Sequence, residues 1–496
     1  MNTEHYYNQY VTGKYADFLP TPVSRRENEE ESSFKIPKCS RTMDAMSGPN
    51  FLSIEEARAG LRAGEFSAGE LAAACERQIE RLDPQLRAFI TPMKPEPPQA
   101  DGNLAGIPIA VKDLFETRGV RTTAGARFFA DHIPAADAVA VQKLKEAGAV
   151  IMGKTNTHEI ALGVTTVNPH YGTTHNPWDP ARIPGGSSGG SAVAVAAGMA
   201  LGALGTDTGG SIRIPASLCG VVGLKPTYGR VSVRGVFPLS WNLDHVGPLA
   251  RRVRDAAWML QALAGYDPED PFSADEPVDD YLLHIEAGVR GWRLALGAGD
   301  YVERSDAEVL QAVETAGALL RQGGAQVEKV DVSFLQEAAA ANSLMTPADG
   351  AAFHRDRLAE HPDWFGPDVR RRLETGRAFT STEYILARKT QSEMKHRLGR
   401  FFLEYDALLL PATAIPAPPI AGQDAVEQAA RLTRFTAPFN LTGLPAISLP
   451  CGFTRQGLPI GLQIICGAWQ EASLLRLARA YEAQTDWHGR WPPGVE

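Results

Sequence analysis

The sequence lacks the residue spacings that mark a disulfide framework or a zinc site. HExxH and the paired Cys/His spacing of zinc sites are both missing. No two cysteines form a C-x-x-C pair, and the cysteine count is odd, with five in 496 residues: Cys39, Cys75, Cys219, Cys451 and Cys466. We therefore expect buried, reduced thiols in a reducing compartment, and no metal or other cofactor.

Long apolar runs and a signal peptide are also missing. The longest small and apolar stretch, Ala192 to Leu204, is interrupted by Gly198 and Gly202 and is too short to cross a bilayer. Residues 1–20 lack the basic start and apolar core of a secretory signal. The formal net charge of −9 argues against a general nucleic-acid or membrane surface. These features predict a cytoplasmic protein that binds neither nucleic acid nor membrane.

Apolar residues are plentiful enough for a large core, since 44% of the chain is hydrophobic. Residues 1–48 differ from the rest, being Tyr-rich at first and then charged, with little periodicity. We predict that they form a poorly structured leader or extension. The chemical motifs are spread along the remaining chain, which predicts a single domain over residues 49–490.

Short apolar runs alternate with helical patterns in the first half of this domain. Ile107 to Val111 is bounded by turn residues and predicts a buried strand that ends at Lys112. A helix capped by Asp137 follows, and then a second buried strand from Ala149 to Met152. This order is typical of parallel strands with helices packed on the sheet. The sequence therefore predicts an α/β fold.

The strongest chemical signal is a pair of glycine- and serine-rich loops. They are PGGSSGGS, residues 184–191, and GTDTGGSIR, residues 205–213, and each leads into a predicted helix. Glycine lets the backbone approach a ligand closely, and N–H groups at a helix start stabilise negative charge. Two such loops, with Ser187 and Ser211 only 24 residues apart, are hard to explain by packing alone.

Two known motifs could explain these loops, but the chain does not supply all the residues that either motif needs. A phosphate cradle requires GxxxxGK[ST], and neither loop supplies the lysine. A nucleophile elbow of the α/β-hydrolase type matches Gly185 to Gly189 as G-x-S-x-G, but it needs a later histidine and acid. None of the later histidines has a motif-like context: His245, His284, His354, His361, His396 and His488.

A third interpretation rests on resemblance to a known family. Beside the two loops, the chain contains GIPIAVKD at 106–113, GLKPTYGR at 223–230 and FNLTGLPA at 439–446. In content and order these segments resemble the motifs of the amidase signature family, from about Phe51 to Trp487. The spacing of 75 residues from Lys112 to Ser187 also matches. The resemblance implies one large, mixed and twisted β-sheet covered by helices on both faces, an α/β/α sandwich.

The resemblance also implies a serine hydrolase with a Ser–Ser–Lys triad. Ser211 would be the nucleophile, and Ser187, after a cis peptide bond from Gly186, would pass its proton to neutral Lys112. The acyl-enzyme would then give an acid plus ammonia or an amine, as in linear amidases. The oxyanion hole would be formed by N–H groups of Thr208, Gly209, Gly210 and Ser211. Supporting roles would fall to Ser188, Thr206, Asp207 and Arg213.

The segment after the second loop is the candidate substrate pocket. Residues 236–242 bring Phe237, Leu239 and Trp241 near one another, which favours an aryl or alkyl acyl group, although ordinary core packing explains the pattern as well. The partners expected are therefore a small-molecule amide and, at most, a second copy of the chain in a homodimer.

The same family contains the A subunit of glutamyl-tRNA amidotransferase, a glutaminase. This chain departs from that subunit's pattern at Ile214, where glutamine is usual, and over Trp241 to His245. We therefore favour a free-standing amidase. The amidotransferase component itself, and a hydrolase of carbamates or oligoamides on the same scaffold, remain as alternatives, because specificity depends on the shape of the pocket.

Overall fold

The strands of the computed structural model, which describes residues 48–422 and 424–495, join into an 11-stranded sheet in the order β1-β3-β2-β6-β8-β7-β12-β13-β11-β9-β10. A two-stranded hairpin, β4 with β5, stands apart from it. The strands are β1 (Phe89–Pro92), β2 (Pro108–Lys112), β3 (Val150–Thr155), β4 (Val167–Asn168), β5 (Gly172–Thr173), β6 (Gly202–Asp207), β7 (Val222–Lys225), β8 (His245–Ala250), β9 (Arg293–Ala298), β10 (Gln326–Asp331), β11 (Ala407–Pro411), β12 (Ala446–Phe453) and β13 (Pro459–Ile465).

The large sheet is mixed. Strand β2 pairs in parallel with β3 and β6, and β9 pairs in parallel with β10 and β11. The remaining pairs, including β6 with β8 and β12 with β13, are antiparallel. The predicted α/β fold with a large mixed sheet is confirmed.

Fifteen α-helices accompany the sheet among the described residues. They are α1 (Ile54–Ala63), α2 (Ala68–Leu86), α3 (Val139–Glu146), α4 (Gly189–Ala196), α5 (Arg213–Cys219), α6 (Val253–Leu263), α7 (Asp300–Glu303), α8 (Ala307–Gln322), α9 (Leu335–Phe353), α10 (Arg355–Glu360), α11 (Pro367–Ala378), α12 (Ser381–Glu404), α13 (Ala425–Thr433), α14 (Ala437–Leu441) and α15 (Glu471–Glu482). Five short 3-10 turns complete the secondary structure described.

Local sequence signals explain where some of these helices begin. Ser53 and Ser67 each form a complete capping box with the glutamate three residues later, at α1 and α2. The predicted cap at Asp137 is wrong, because α3 begins only at Val139. The Asp137 carboxylate instead accepts a hydrogen bond from the backbone N–H of Arg118 and pairs with Lys145.

The centre of the molecule is built from small and β-branched residues. All eight positions of α4 are buried, and so are all positions of β2, β3, β6 and β8. A helix that contacts protein on every side needs small side chains, which explains the sequence GGSAVAVA. This buried centre carries the two glycine-rich loops at its edge.

Four of the five cysteines lie among the described residues. Cys75, Cys219, Cys451 and Cys466 are buried and unbridged. No helix between residues 48 and 495, residue 423 aside, is long and apolar enough to cross a membrane. The predicted leader falls on residues that, up to 47, lie outside those described, and the boundaries 49–490 and the cytoplasmic location stay predictions.

Candidate active site

Lys112 lies at the C-terminal end of β2, beside the end of the parallel strand β6. Its Nζ atom donates one hydrogen bond to Ser187 Oγ and another to Thr206 Oγ1, each at 2.7 Å. The side chain is fully buried. The structure therefore brings Lys112 together with Ser187, as predicted, and surrounds the amine with hydroxyl groups.

Burial changes the acidity of this lysine. It lowers the pKa of Lys112 to about 7, although the negative charges of Asp207 and Asp244 act in the opposite direction. A large fraction of the side chain is therefore neutral near neutral pH. A neutral amine in contact with a hydroxyl can accept its proton, which a solvated lysine could not do.

The first glycine-rich loop is held against the second. The peptide bond between Gly186 and Ser187 is cis, as the resemblance implied. The backbone N–H of Ser188 donates to the Ser211 carbonyl at 3.1 Å, and Ser188 Oγ donates to the Thr206 carbonyl at 3.1 Å. The predicted supporting residue Ser188 thus connects both serine loops.

The second loop is organised by a buried ion pair. The Arg213 guanidinium donates two hydrogen bonds to the Asp207 carboxylate, from Nε to Oδ2 at 3.0 Å and from Nη2 to Oδ1 at 2.9 Å. Both side chains are fully buried. Burial alone would raise the pKa of Asp207, but the charge and hydrogen bonds of Arg213 hold it well below its usual value. The guanidinium also donates to Asn440 Oδ1 and Gln463 Oε1. The pair fixes the loop from within the core.

The four predicted oxyanion donors have different surroundings. The N–H of Gly210 donates to Asp207 Oδ1 at 2.7 Å, so this donor is already used. Among the hydrogen bonds of the described residues, none uses the N–H of Thr208, Gly209 or Ser211. The carbonyls of Thr208 and Gly209 accept from Asn342 Nδ2 and Thr436 Oγ1, which holds the peptide planes. Thr208, Gly209 and Ser211 therefore keep N–H groups for a ligand.

Ser211 opens onto a cavity of about 370 Å³. One wall is the loop 161–164, and Thr208, Gly209 and Leu239 surround the nucleophile candidate. The remaining lining comes from three helices: α9 contributes Asn342, Ser343, Thr346 and Pro347, α11 contributes Arg371, Arg372 and Thr375, and α13 contributes Ala429, Ala430 and Thr433, with Phe379 between α11 and α12.

The structure separates the three residues predicted to form the substrate pocket. Leu239 lines the cavity with Ser211. Phe237 instead packs on Phe129, with ring centroids 4.5 Å apart, and Trp241 is 39% exposed and lines a different cavity. None of the residues described around the Ser211 cavity is a histidine. This arrangement gives no support to a histidine base of the α/β-hydrolase type.

Sequence reasoning missed the residues that α9 and α11 bring to this cavity. Asn342 has no motif around it, and Arg371 and Arg372 belong to a run of three arginines that suggests only a solvated face. Arg371 lies 3.0 Å from Asp424, and Arg372 lies 4.0 Å from Asp368. The described residues contain no group of three or more His, Cys, Asp or Glu side chains that could hold a metal ion.

Comparison with known protein families assigns this site to a class. The model of the Amidase family matches residues 70–475, which include both serine loops and Lys112. The chain belongs to the amidase family. The resemblance to the amidase signature motifs is thereby confirmed, and this amidase is an amide-hydrolysing enzyme.

Proteins similar to this amidase include the A subunits of amidotransferases. The amidase is 39% identical over 477 residues to the A subunit of glutamyl-tRNA(Gln) amidotransferase from Roseiflexus sp. (strain RS-1), covering 89% of this chain and 98% of the relative. The solved structure of the corresponding protein from Thermotoga maritima is 37% identical, with a TM-score of 0.81 and coverage of 90% and 98%. A chain from a vestigial protein complex, solved in work on the origins of an s-triazine catabolic enzyme, has a TM-score of 0.82 and 34% identity over 87% and 98%.

These relatives overturn one expectation. A partner set limited to a small-molecule amide and a homodimer is wrong, because similar proteins from several bacteria are named as one subunit of an amidotransferase. The expectation came from net charge and local motifs. Neither reports which surface of a folded chain is covered by another protein, so the error has a physical origin.

Proposed function

We propose that this amidase hydrolyses small carboxamides through an acyl-enzyme on Ser211. In the first step Ser211 Oγ attacks the amide carbonyl while its proton passes by way of Ser187 to the neutral amine of Lys112. The tetrahedral oxyanion is stabilised by the N–H groups of Thr208, Gly209 and Ser211, each worth about 3–4 kcal/mol in comparable sites.

The second half of the cycle returns the same protons. Lys112, now an ammonium, returns a proton through Ser187 to the leaving nitrogen, and the C–N bond breaks to release ammonia or an amine. Water then attacks the ester of Ser211 along the same proton route and releases the acid. Each group ends in its starting protonation state, so no further reactant is needed.

One observation carries the proposal: the contact of Lys112 Nζ with Ser187 Oγ at 2.7 Å, deep inside the protein and behind the cavity that Ser211 lines. A buried lysine without a carboxylate in contact would be costly as a structural element alone. As a proton acceptor, its lowered pKa is an advantage.

The experiment compares ammonia release by wild type, Ser211→Ala and Lys112→Ala. Both variants should keep the melting temperature of wild type within a few degrees and lose about three orders of magnitude or more in kcat. A fluorophosphonate should label wild type at Ser211 and not Ser211→Ala. Full turnover by either folded variant contradicts the mechanism.

The cavity walls favour amides that also carry a carboxylate. Arg371 and Arg372 place two guanidinium groups on the wall that α11 contributes, and guanidinium groups recognise carboxylates by forked hydrogen bonds. Arg371 is paired with Asp424 near solvent, so a substrate carboxylate would share this arginine. The aryl or alkyl preference expected from Phe237 and Trp241 loses its basis, since neither residue lines the cavity.

Arg371→Gln tests this specificity, with Arg370→Gln as the matched control, because Arg370 pairs with Glu374 on the exposed side of the same helix. With succinamate or glutamine, Arg371→Gln should raise KM about tenfold or more, whereas the KM for benzamide or propionamide should stay unchanged. The control should change neither. A wild-type preference for benzamide contradicts the carboxylate proposal.

A second candidate is the glutaminase role of an amidotransferase component. It is favoured by the 39–40% identity to the amidotransferase relatives, which extends over 98–99% of three relatives' length. Glutamine carries both an amide and a carboxylate, so it also fits the cavity. The test measures glutamine hydrolysis by the chain alone and after addition of the other subunits of a related amidotransferase. Activation by those subunits supports this role, and indifference to them contradicts it.

A further inference from the structure

Asp244 lies outside the Ser–Ser–Lys set, in the loop just before β8. Its carboxylate accepts three hydrogen bonds: Oδ1 from Thr208 Oγ1 at 2.6 Å, and Oδ2 from the N–H groups of Leu239 at 2.8 Å and Ser240 at 3.0 Å. One side chain therefore holds the start of the second glycine-rich loop and the segment that carries Leu239.

Two of the three partners of Asp244, Thr208 and Leu239, lie at the cavity. Thr208 and Gly209 are two of the three residues whose N–H remains for the oxyanion, and Leu239 lines the cavity beside Ser211. The loop is also held at other points, by Asn342 on the Thr208 carbonyl and by Thr436 on the Gly209 carbonyl. The hydrogen bond to Asp244 is the one described contact of the Thr208 hydroxyl.

An ionised carboxylate at the position of Asp244 is costly unless hydrogen bonds stabilise it. It lines a second cavity of about 190 Å³, together with Thr206, the residue that accepts from Lys112. Burial raises the pKa of Asp244 to about 6, while the bonds from Thr208, Ser240 and Leu239 and the charge of Lys112 act in the opposite direction. At neutral pH the group is therefore mostly an anion, which accepts all three bonds at once.

We propose that Asp244 is a positioning residue for the second glycine-rich loop, residues 205–213, called the oxyanion loop below. Through Thr208 it holds this loop against Leu239, which lines the cavity, and the adjoining Ser240. The inference rests on the proposed function of Ser211. Oxyanion donors act only when they are fixed before the charge develops, and a displacement of about 1 Å can cost about 100-fold in rate. Without this link, the loop that positions the Gly209 N–H is held by one hydrogen bond fewer.

The test uses Asp244→Ala, Asp244→Asn and Thr208→Val. Asp244→Ala removes all three bonds and should lower kcat by about 10- to 100-fold, with a smaller change in KM, because the oxyanion exists only in the transition state. Asp244→Asn keeps an acceptor for Leu239 and a donor for the Thr208 hydroxyl. It should restore most of the lost kcat.

The matched control is Asp270→Ala. Asp270 lines the same second cavity and also accepts three bonds, from Ser232 Oγ and from the N–H groups of Val233 and Phe272, and none of its described hydrogen bonds involves residues 205–213. Its loss should lower the melting temperature while leaving kcat within about twofold. Equal losses of kcat in Asp270→Ala and Asp244→Ala would overturn the proposal.

A double-mutant cycle identifies the route of the effect. Thr208→Val alone should lower kcat, and adding it to Asp244→Ala should cost little more, since both remove one shared bond. If Asp244→Ala does not fold, a kcat of Thr208→Val within about twofold of wild type overturns the proposal. If wild type is not labelled at Ser211, the proposed function fails as well. If wild type is labelled and Asp244→Ala keeps full kcat, only the role of Asp244 fails.

Discussion

At the scale of single residues, the chemistry depends on the protonation of one amine. Lys112 is a proton acceptor only when neutral, and burial brings its pKa to about 7. Asp207, which raises that pKa, is itself paired with Arg213, whose positive charge offsets part of the carboxylate's effect on the amine. The arrangement keeps two oppositely charged groups in the core without making Lys112 a permanent ammonium.

This protonation predicts the pH dependence of the reaction. As pH rises through about 7, the Lys112 ammonium loses its proton, so kcat/KM should rise with an inflection near that value and then level off. The measurement is ammonia release between about pH 5 and pH 9 at low substrate. Melting curves over the same range serve as the control for acid unfolding. A profile that is flat, or that falls as pH rises through 7, would be incompatible with a neutral amine base.

At the scale of elements, the site depends on how closely α4 approaches its neighbours. A Cβ atom added at Gly190 would lie 2.3 Å from the Ala88 carbonyl oxygen and 2.5 Å from that of Asn156, both of them backbone atoms. Gly69 occupies the same second position in α2, but its nearest neighbour would be Ser67 Oγ at 3.8 Å. Two glycines at equivalent helix positions thus have different roles.

We expect Gly190→Ala to destabilise the protein by about 1–3 kcal/mol or more, because rigid backbone must move to admit the methyl group. Gly69→Ala should be neutral or stabilising by up to about 1 kcal/mol, since alanine favours the helix. Melting temperatures of both variants check the prediction. Gly190→Ala should also reduce kcat, as α4 carries the Ser187 loop, and equal stability of the two variants would contradict this account of α4.

At the scale of the whole molecule, the second loop is completed by residues from the far end of the chain. Asn440 Nδ2 donates to the Asp207 side chain and carbonyl, each at 2.8 Å, and Gln463 of β13 accepts from Arg213. These contacts span more than 220 positions of sequence. The second loop therefore depends on α14 and β13 being packed against it.

This dependence predicts that activity and global structure are lost together. In a urea titration, the midpoint of activity loss should coincide with the midpoint of unfolding measured by far-ultraviolet circular dichroism. Asn440→Ala removes bonds to both members of the buried ion pair and should shift both midpoints to lower urea by the same amount. Activity that disappears well before the circular dichroism signal would show a site that opens locally.

The local features of this protein follow from its sequence alone. Capping boxes, apolar strands and the glycine-rich loops depend on residues close together in the chain, and the family motifs pointed to Lys112, Ser187 and Ser211. The misplaced cap at Asp137 shows the limit of such signals, because a tertiary contact with Lys145 and the backbone of Arg118 replaced the cap.

The surroundings of those residues depend on packing between distant parts of the chain. Packing of α9 and α11 brought Asn342 and Arg371 to the cavity, and the turn around Asp244 directed Trp241 to a different one. No periodicity in the sequence encodes which helix faces which loop, because burial and charge pairing act on all of them at once. The physical reason is that hydrogen bonds such as that from Asn342 to Thr208, 134 residues apart, exist only after the chain has folded.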